Sequence, residues 1–184
     1  MTSRVFQLHP DAERYQWLTL TRESDFNILH DFRGAPVAST WQPLPAEWIT
    51  EGKQRRKARS DFPILGSTPT FSARAVDALL DVLVPFGELL PLTGEATGFF
   101  VYNVTRIIPA LDEEQSSLVR FDSGGIMMVS RYVFHAARVR EEVVFKVPNI
   151  HMTVFATEVL VRRAKEAGLT GFDLPAVWAP PPGA

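Results

Sequence analysis

A chain of 184 residues, 46% of them apolar or aromatic, can bury about 70% of its extended surface, enough for one sizeable core. Charged residues make up 22% and the formal net charge is −2, which excludes a global field that would gather nucleic acid or anionic lipid. The absence of cysteine excludes disulfides, thiolate metal sites and thiol catalysis, and fits a reducing compartment.

Along the chain, Val5–Leu8, Trp17–Thr21 and Phe26–Phe32 read as short strands between polar turns. Pro43 and Pro45 surround Leu44 between Trp41 and Trp48, which predicts an extended, aromatic-decorated loop. The basic run Lys53, Arg55, Arg56, Lys57 and Arg59 marks a seam, so residues 1–60 read as an N-terminal strand and loop segment of the same domain and 61–178 as its core. Ser72 opens the clearest helix, with Val76, Leu79, Leu80 and Leu83 on one stripe, and Pro85 and Gly87 stop it.

The period then changes. Leu89–Leu92, Phe99–Ile108, Leu118–Phe121, Ile126–Phe134 and Val143–Val147 are β-branched and aromatic runs separated by turn residues. A second helix is predicted at Thr157 to Ala167, with Thr157 as cap, Leu160, Val161 and Ala164 inward, and Gly168 at its end. Phe172, Val177 and Trp178 dock on the core, and 179–184 form a Pro-rich tail. The fold class is therefore α+β, a largely antiparallel sheet packed with two principal helices.

No constellation of residues points to catalysis. Asp122-Ser123-Gly124-Gly125 echoes a serine-protease nucleophile box, yet Phe121 stands where an oxyanion-hole glycine is needed, and His9 and His30 lie in unrelated settings. The same letters make a hairpin turn, the preferred reading; a serine hydrolase using Ser123 is the alternative. Asp112, Glu113 and Glu114 read as the start of a helical turn after Pro109 rather than as a metal site. His9, His30, His135 and His151 lack metal-ligand spacing, and His135 reads as a core or edge residue of a strand. No cofactor motif is present, and Gly94 to Gly98 lacks the lysine of a phosphate loop.

The basic run 53–59 gives a further alternative, a nucleic-acid-associated regulator, but no reading helix or stacking sheet accompanies it, so a solvated linker is preferred. Trp17 and Trp178 read as core. Trp41, Trp48, Arg55, Arg56 and Glu88 are the candidate partner-binding residues, since tryptophan and arginine dominate interface energetics. The N-terminus lacks a signal-like apolar stretch and no run nears the roughly 20 residues of a membrane span, so a cytoplasmic chain without membrane or nucleic-acid partners is expected.

From the second half onward the chain resembles a known family. "FSARAVDALLDVLVPFGELLPL", "YNVTRIIPALDEEQS" and "VFATEVLVRRAKEAGLTGFDLPAVW" are similar to the bacterial immunity-protein family Imm11, over roughly Phe71 to Trp178, with looser likeness through "RGAPV". The boxes are Gly87 to Pro91, Asn103 to Arg106, Leu111 with Asp112 and Ser116, Gly168 to Gly171, and the final Trp178. Pro109 departs from the pattern, which often has an acidic residue there. The resemblance implies a cytoplasmic, non-enzymatic antagonist of a cognate toxin encoded by an adjacent gene.

Overall fold

The computed structural model describes residues 4–181. In chain order its elements are β1 (Val5–Gln7), β2 (His9–Pro10), β3 (Leu18–Leu20), α1 (Phe26–His30), β4 (Leu44–Trp48), β5 (Thr70–Ser72), α2 (Ala73–Leu83), β6 (Gly87–Gly94), β7 (Phe99–Val104), β8 (Ser117–Arg120), β9 (Ile126–Arg131), α3 (Ala136–Val139), β10 (Val144–Val147), β11 (Ile150–Thr157), α4 (Glu158–Glu166), β12 (Phe172–Asp173) and β13 (Ala176–Trp178). One sheet has the order β10-β11-β1-β13 and another β3-β4-β6-β7-β5; β12 pairs with β2, and β8 with β9. Every strand pair is antiparallel except β4 with β6, and the class is α+β with α2 and α4 as the principal helices.

Side-chain alternation, the period of 2 that a pleated strand imposes, divides the apolar residues among three buried clusters. In β11, Val154 and Ala156 join a first cluster while Phe155 joins a third; in β7, Tyr102 and Val104 face the first cluster and Val101 a second. The first cluster is closed by α2 and α4, through Ala75, Leu79, Leu83 and Leu160. Arg163 on α4 clamps α2 by donating to Asp81 Oδ1 and Oδ2 at 2.8 and 2.9 Å and to Ala78 O at 3.1 Å.

Both helix starts are built from residues the sequence singles out, with one change of role. Ser72 Oγ accepts from Ala75 N at 3.1 Å, the predicted cap. Thr157 stands at the N-cap of α4 but donates its hydroxyl to Glu142 O at 2.8 Å, so it ties the helix to the turn between α3 and β10 instead of capping it. The α2 stripe is also rotated from its predicted position: Ala75, Leu79 and Leu83 are buried and Leu80 is 48% exposed, because the sheet lies against the i, i+4, i+8 row.

Two N-terminal expectations are overturned. Phe26–Phe32 holds α1, not a strand: Leu29 and Phe32, three apart, are both buried, and Phe26 packs against the same cluster. The Pro43–Pro45 stretch is not a loop, since β4 runs through Pro45 with Leu44, Ala46 and Trp48 buried on one face. Pro45 is tolerated because only its carbonyl is needed there, accepting from Thr21 N at 3.0 Å. Asp61, buried at the seam after the basic run, accepts from Ser72 Oγ at 2.8 Å, Arg74 Nη1 at 2.7 Å and Thr170 N at 2.9 Å, binding the start of α2 to the turn after α4.

The predicted docking of the C-terminal aromatics is seen. Phe172 stacks on Phe62 at 4.6 Å, and Trp178 meets Phe134 edge-on at 5.8 Å. Residues 179–181 have no regular structure, and the rest of the expected tail, 182–184, lies outside the described residues.

Phe155 is fully buried among aromatic rings, 5.2 to 5.6 Å from Tyr132, Phe134 and Phe145. Phe155→Ala is expected to lower the unfolding free energy by about 3–5 kcal/mol, measured as a fall in urea midpoint with an unchanged slope.

Candidate binding surface

Glu88 lies on β6 directly opposite Asn103 on β7. Its carboxylate accepts from Val37 N at 2.8 Å, Ala38 N at 3.1 Å and Asn103 Nδ2 at 3.0 Å, and Asn103 Nδ2 also donates to Ala35 O at 2.9 Å. Burial acts to raise the Glu88 pKa, but the donors from Val37, Ala38 and Asn103 together outweigh it, so the carboxyl is held below its usual value. Gly87 allows this pairing to form so closely: a Cβ there would stand 2.5 Å from Asn103 O and 2.7 Å from the Tyr102 ring.

The segment so held leads into a 3-10 turn, Ala38–Thr40, and then to Trp41. Trp41 Nε1 donates to Pro91 O at 3.0 Å and its ring packs 6.0 Å from Phe32. A cleft of about 440 Å³ opens beside it, lined chiefly by Ile28, Phe32, Val37, Trp41 and Leu44, with Arg22 and Asp31 supplying charge. Glu88 thus acts on Trp41 through the loop: it fixes the backbone that presents the indole.

The other candidates are placed apart from this cleft. Trp48 is only 3% exposed, with Phe99 edge-on at 5.4 Å and the Arg59 guanidinium 4.7 Å over its face. It offers no surface to a partner, which corrects its candidacy; as the last inward residue of β4 it belongs to the core. Its Nε1 is buried without a hydrogen-bond acceptor. Arg55 and Arg56 are exposed on a 3-10 turn, Gly52–Arg56, and neither forms an ion pair among the described residues. The basic run is only partly a solvated linker, because Lys57 Nζ donates to Ala12 O at 2.9 Å and lies over Trp17, while Arg59 covers Trp48.

Ser123 sits in a turn. Phe121 N donates to Gly125 O and Gly124 N to Phe121 O, both at 2.9 Å, and Gly124 supplies φ +85, which other residues resist. No hydrogen bond among the described residues joins Ser123 to a histidine. Asp112 closes the expected turn, its carboxylate accepting from Gln115 N at 3.0 Å, and Glu113 pairs with Arg120 at 2.6 Å. His135 is not a strand residue; it precedes α3, with 45% of its side chain exposed, 3.8 Å from Asp112. Among the described residues no group of three or more acidic or histidine side chains is arranged for a metal.

Two features escaped the sequence. Lys146, hidden in the apolar-looking β10, is 6% exposed, donates to Phe32 O at 2.9 Å, and is pushed down to about 8 by burial. The hairpin β8–β9 carries Val119, Phe121, Met127 and Met128 exposed on its outside. Adjacent apolar residues in "IMMV" are the available signal, since both faces of a strand are thereby apolar.

Residues 92–178 match the family model of the immunity proteins Imm11. No curated protein matches the chain. The Imm11 match starts at Leu92 rather than at Phe71, so the first helix, the Gly87–Pro91 box, Glu88 and Trp41 lie outside it. Inside it, the Imm11 boxes do structural work: Asn103 carries the Glu88 joint, Arg106 grips the buried Glu142 through Nε and Nη2 at 2.9 and 2.6 Å, and Ser116 Oγ accepts from Val133 N at 3.0 Å.

Two pH responses follow. Glu88 has a folded pKa below its unfolded value of 4.5, so its stabilisation is complete above 4.5 and is lost as pH falls through the lowered folded value. Thermal melts of wild type and Glu88→Gln are expected to differ at neutral pH and to converge in acid. Lys146 has the opposite case: between about 8 and 10.5 the unfolded chain binds the extra proton, so stability rises with pH across that window. Lys146→Met is expected to remove that rise, read from urea midpoints at pH 7.5 and 10.

Proposed function

We propose that this chain is an immunity protein that binds a cognate bacterial toxin, encoded by an adjacent gene, and neutralises it stoichiometrically in the cytoplasm without catalysing a reaction. The observation that carries this reading is the Imm11 match over residues 92–178. The fold suits it: rigid sheets support irregular segments, and such segments can vary in sequence without disturbing a core. No helix among the described residues is long and apolar enough to cross a membrane.

Trp41 is the anchor of the toxin contact on this reading. A half-buried indole beside an apolar cleft resembles the aromatic anchors on which binding energy concentrates, and the loop that carries it is already ordered by Glu88, so little entropy is lost on docking. Arg55 and Arg56 serve as exposed rim charges, worth more to encounter rate than to affinity. Residues 1–60 and 61–178 act as one domain, with β1 and β4 of the first part seated in sheets of the second.

Titration of the adjacent gene's toxin with this chain is expected to abolish the toxin's activity, with a sharp end point at equimolar ratio. Turnover of toxin by trace amounts of the chain would sink the reading. Trp41→Ala is expected to weaken binding by about 2 kcal/mol or more, measured by calorimetry, while Ser123→Ala leaves protection unchanged.

A further inference from the structure

The ribbon β8–β9 stands outside the larger sheets: among the described residues neither strand is bonded to a third. Its inner face is occupied, with Ile126 buried and Leu118 and Val129 packed against the third cluster. Its outer side is bare. Val119 and Met128, which face one another across the ribbon, are 41% and 53% exposed, Phe121 at the turn is 54% exposed and Met127 53%. These four make half of the eight large apolar side chains that stand exposed among the described residues, so the ordinary scatter of single surface hydrophobics does not describe them.

The register explains why two successive methionines are both outside. Val119 faces Met128 while Arg120 faces Ile126, which leaves Met127 without a partner in a bulge. Soluble proteins commonly guard such strand edges with charge or proline. Here β9 contains no proline, and its single charged residue, Arg131, donates to Gln115 O at 2.6 Å. Arg120 on β8 is likewise turned back, to Glu113 at 2.6 Å and Gly124 O at 2.9 Å.

We infer that the free edge of β9 receives an extended segment of the toxin as a third strand, whose alternate apolar side chains lie beside Met128 and continue the apolar face that Met128 shares with Val119. This rests on the reading of the chain as a toxin-binding immunity protein. The occupant follows from what the ribbon offers: unpaired backbone groups along an edge are met in register by another extended backbone, and an uncharged apolar face excludes charged side chains above it. Unbranched thioethers fit the contour of whatever side chain arrives. A third strand also gives the ribbon what two strands alone lack, since an isolated hairpin is marginal in water. The ribbon lies wholly within the Imm11 segment, whereas the Trp41 cleft lies outside it.

The probe is the toxin domain encoded beside this chain, disarmed by substitution in its own active site. In the complex, amide exchange at residues 126–131 is expected to slow by about tenfold or more, and Met128→Lys to weaken association by about tenfold or more at an unchanged melting temperature. A complex that leaves those amides unprotected and binds Met128→Lys as tightly as wild type overturns the ribbon proposal and leaves the immunity reading standing. Failure of the wild-type chain to bind the domain at all overturns both. Protection of the same amides in the chain alone, together with a dimer in sedimentation that Met128→Lys abolishes, assigns the edge to a second copy and overturns the proposal. Exchange is measured on unaltered protein, so it decides the matter even if a variant misfolds.

Discussion

The position of β1 constrains everything else. Three residues near the start of the chain lie between β11 and β13, paired with Thr157, Ala156 and Phe155 on one side and with Trp178 and Ala176 on the other. Val5 is fully buried there. The sheet therefore closes only when segments far apart in sequence meet, and the third cluster, which draws on Val5, Phe155 and Trp178, closes with it. Pairings of such long sequence separation carry a loop-closure cost that local contacts do not, and that cost opposes rapid folding.

The second long-range tie is made by polar groups. β4 enters the sheet beside β6, and a few residues earlier in the chain Val37 and Ala38 give their backbone N–H groups to Glu88 on that same strand. Those two donors sit in an irregular segment with no ladder to join, so a carboxylate aimed at them replaces the hydrogen bonds that a strand would have supplied. The result is an ordered loop that ends in an indole. Asn103, the residue opposite Glu88, shares the task by reaching Ala35 O.

The parts legible in the sequence are those where one local rule acts without competition. Ser72 followed by an amphipathic run specifies α2, and β-branched runs between turn residues specify β6 to β10. The failures have identifiable causes. In Phe26–Phe32 the apolar residues suit a helix as well as a strand, and the flanking polar residues do not decide between them. At Leu44 the prolines hide an alternation of inward residues that only the neighbouring β3 and β6 make useful. β11 is not legible at all because His151, Thr153 and Thr157 dilute its apolar signal, although Val154, Phe155 and Ala156 sit at the centre of the molecule. Of the candidate surface, residue type points to Trp41 but cannot separate it from Trp48, because which indole faces inward is decided by strand register, a long-range property.

The sulfur in this protein is distributed unevenly. There is no cysteine, and Met127, Met128 and Met152 are each more than half exposed, at 53%, 53% and 52%. The three buried clusters are built of aliphatic and aromatic side chains alone. Oxidants that convert thioethers to sulfoxides would therefore leave the interior chemically untouched and make the outer face of the β8–β9 ribbon polar, a change that sulfoxide reductases can reverse.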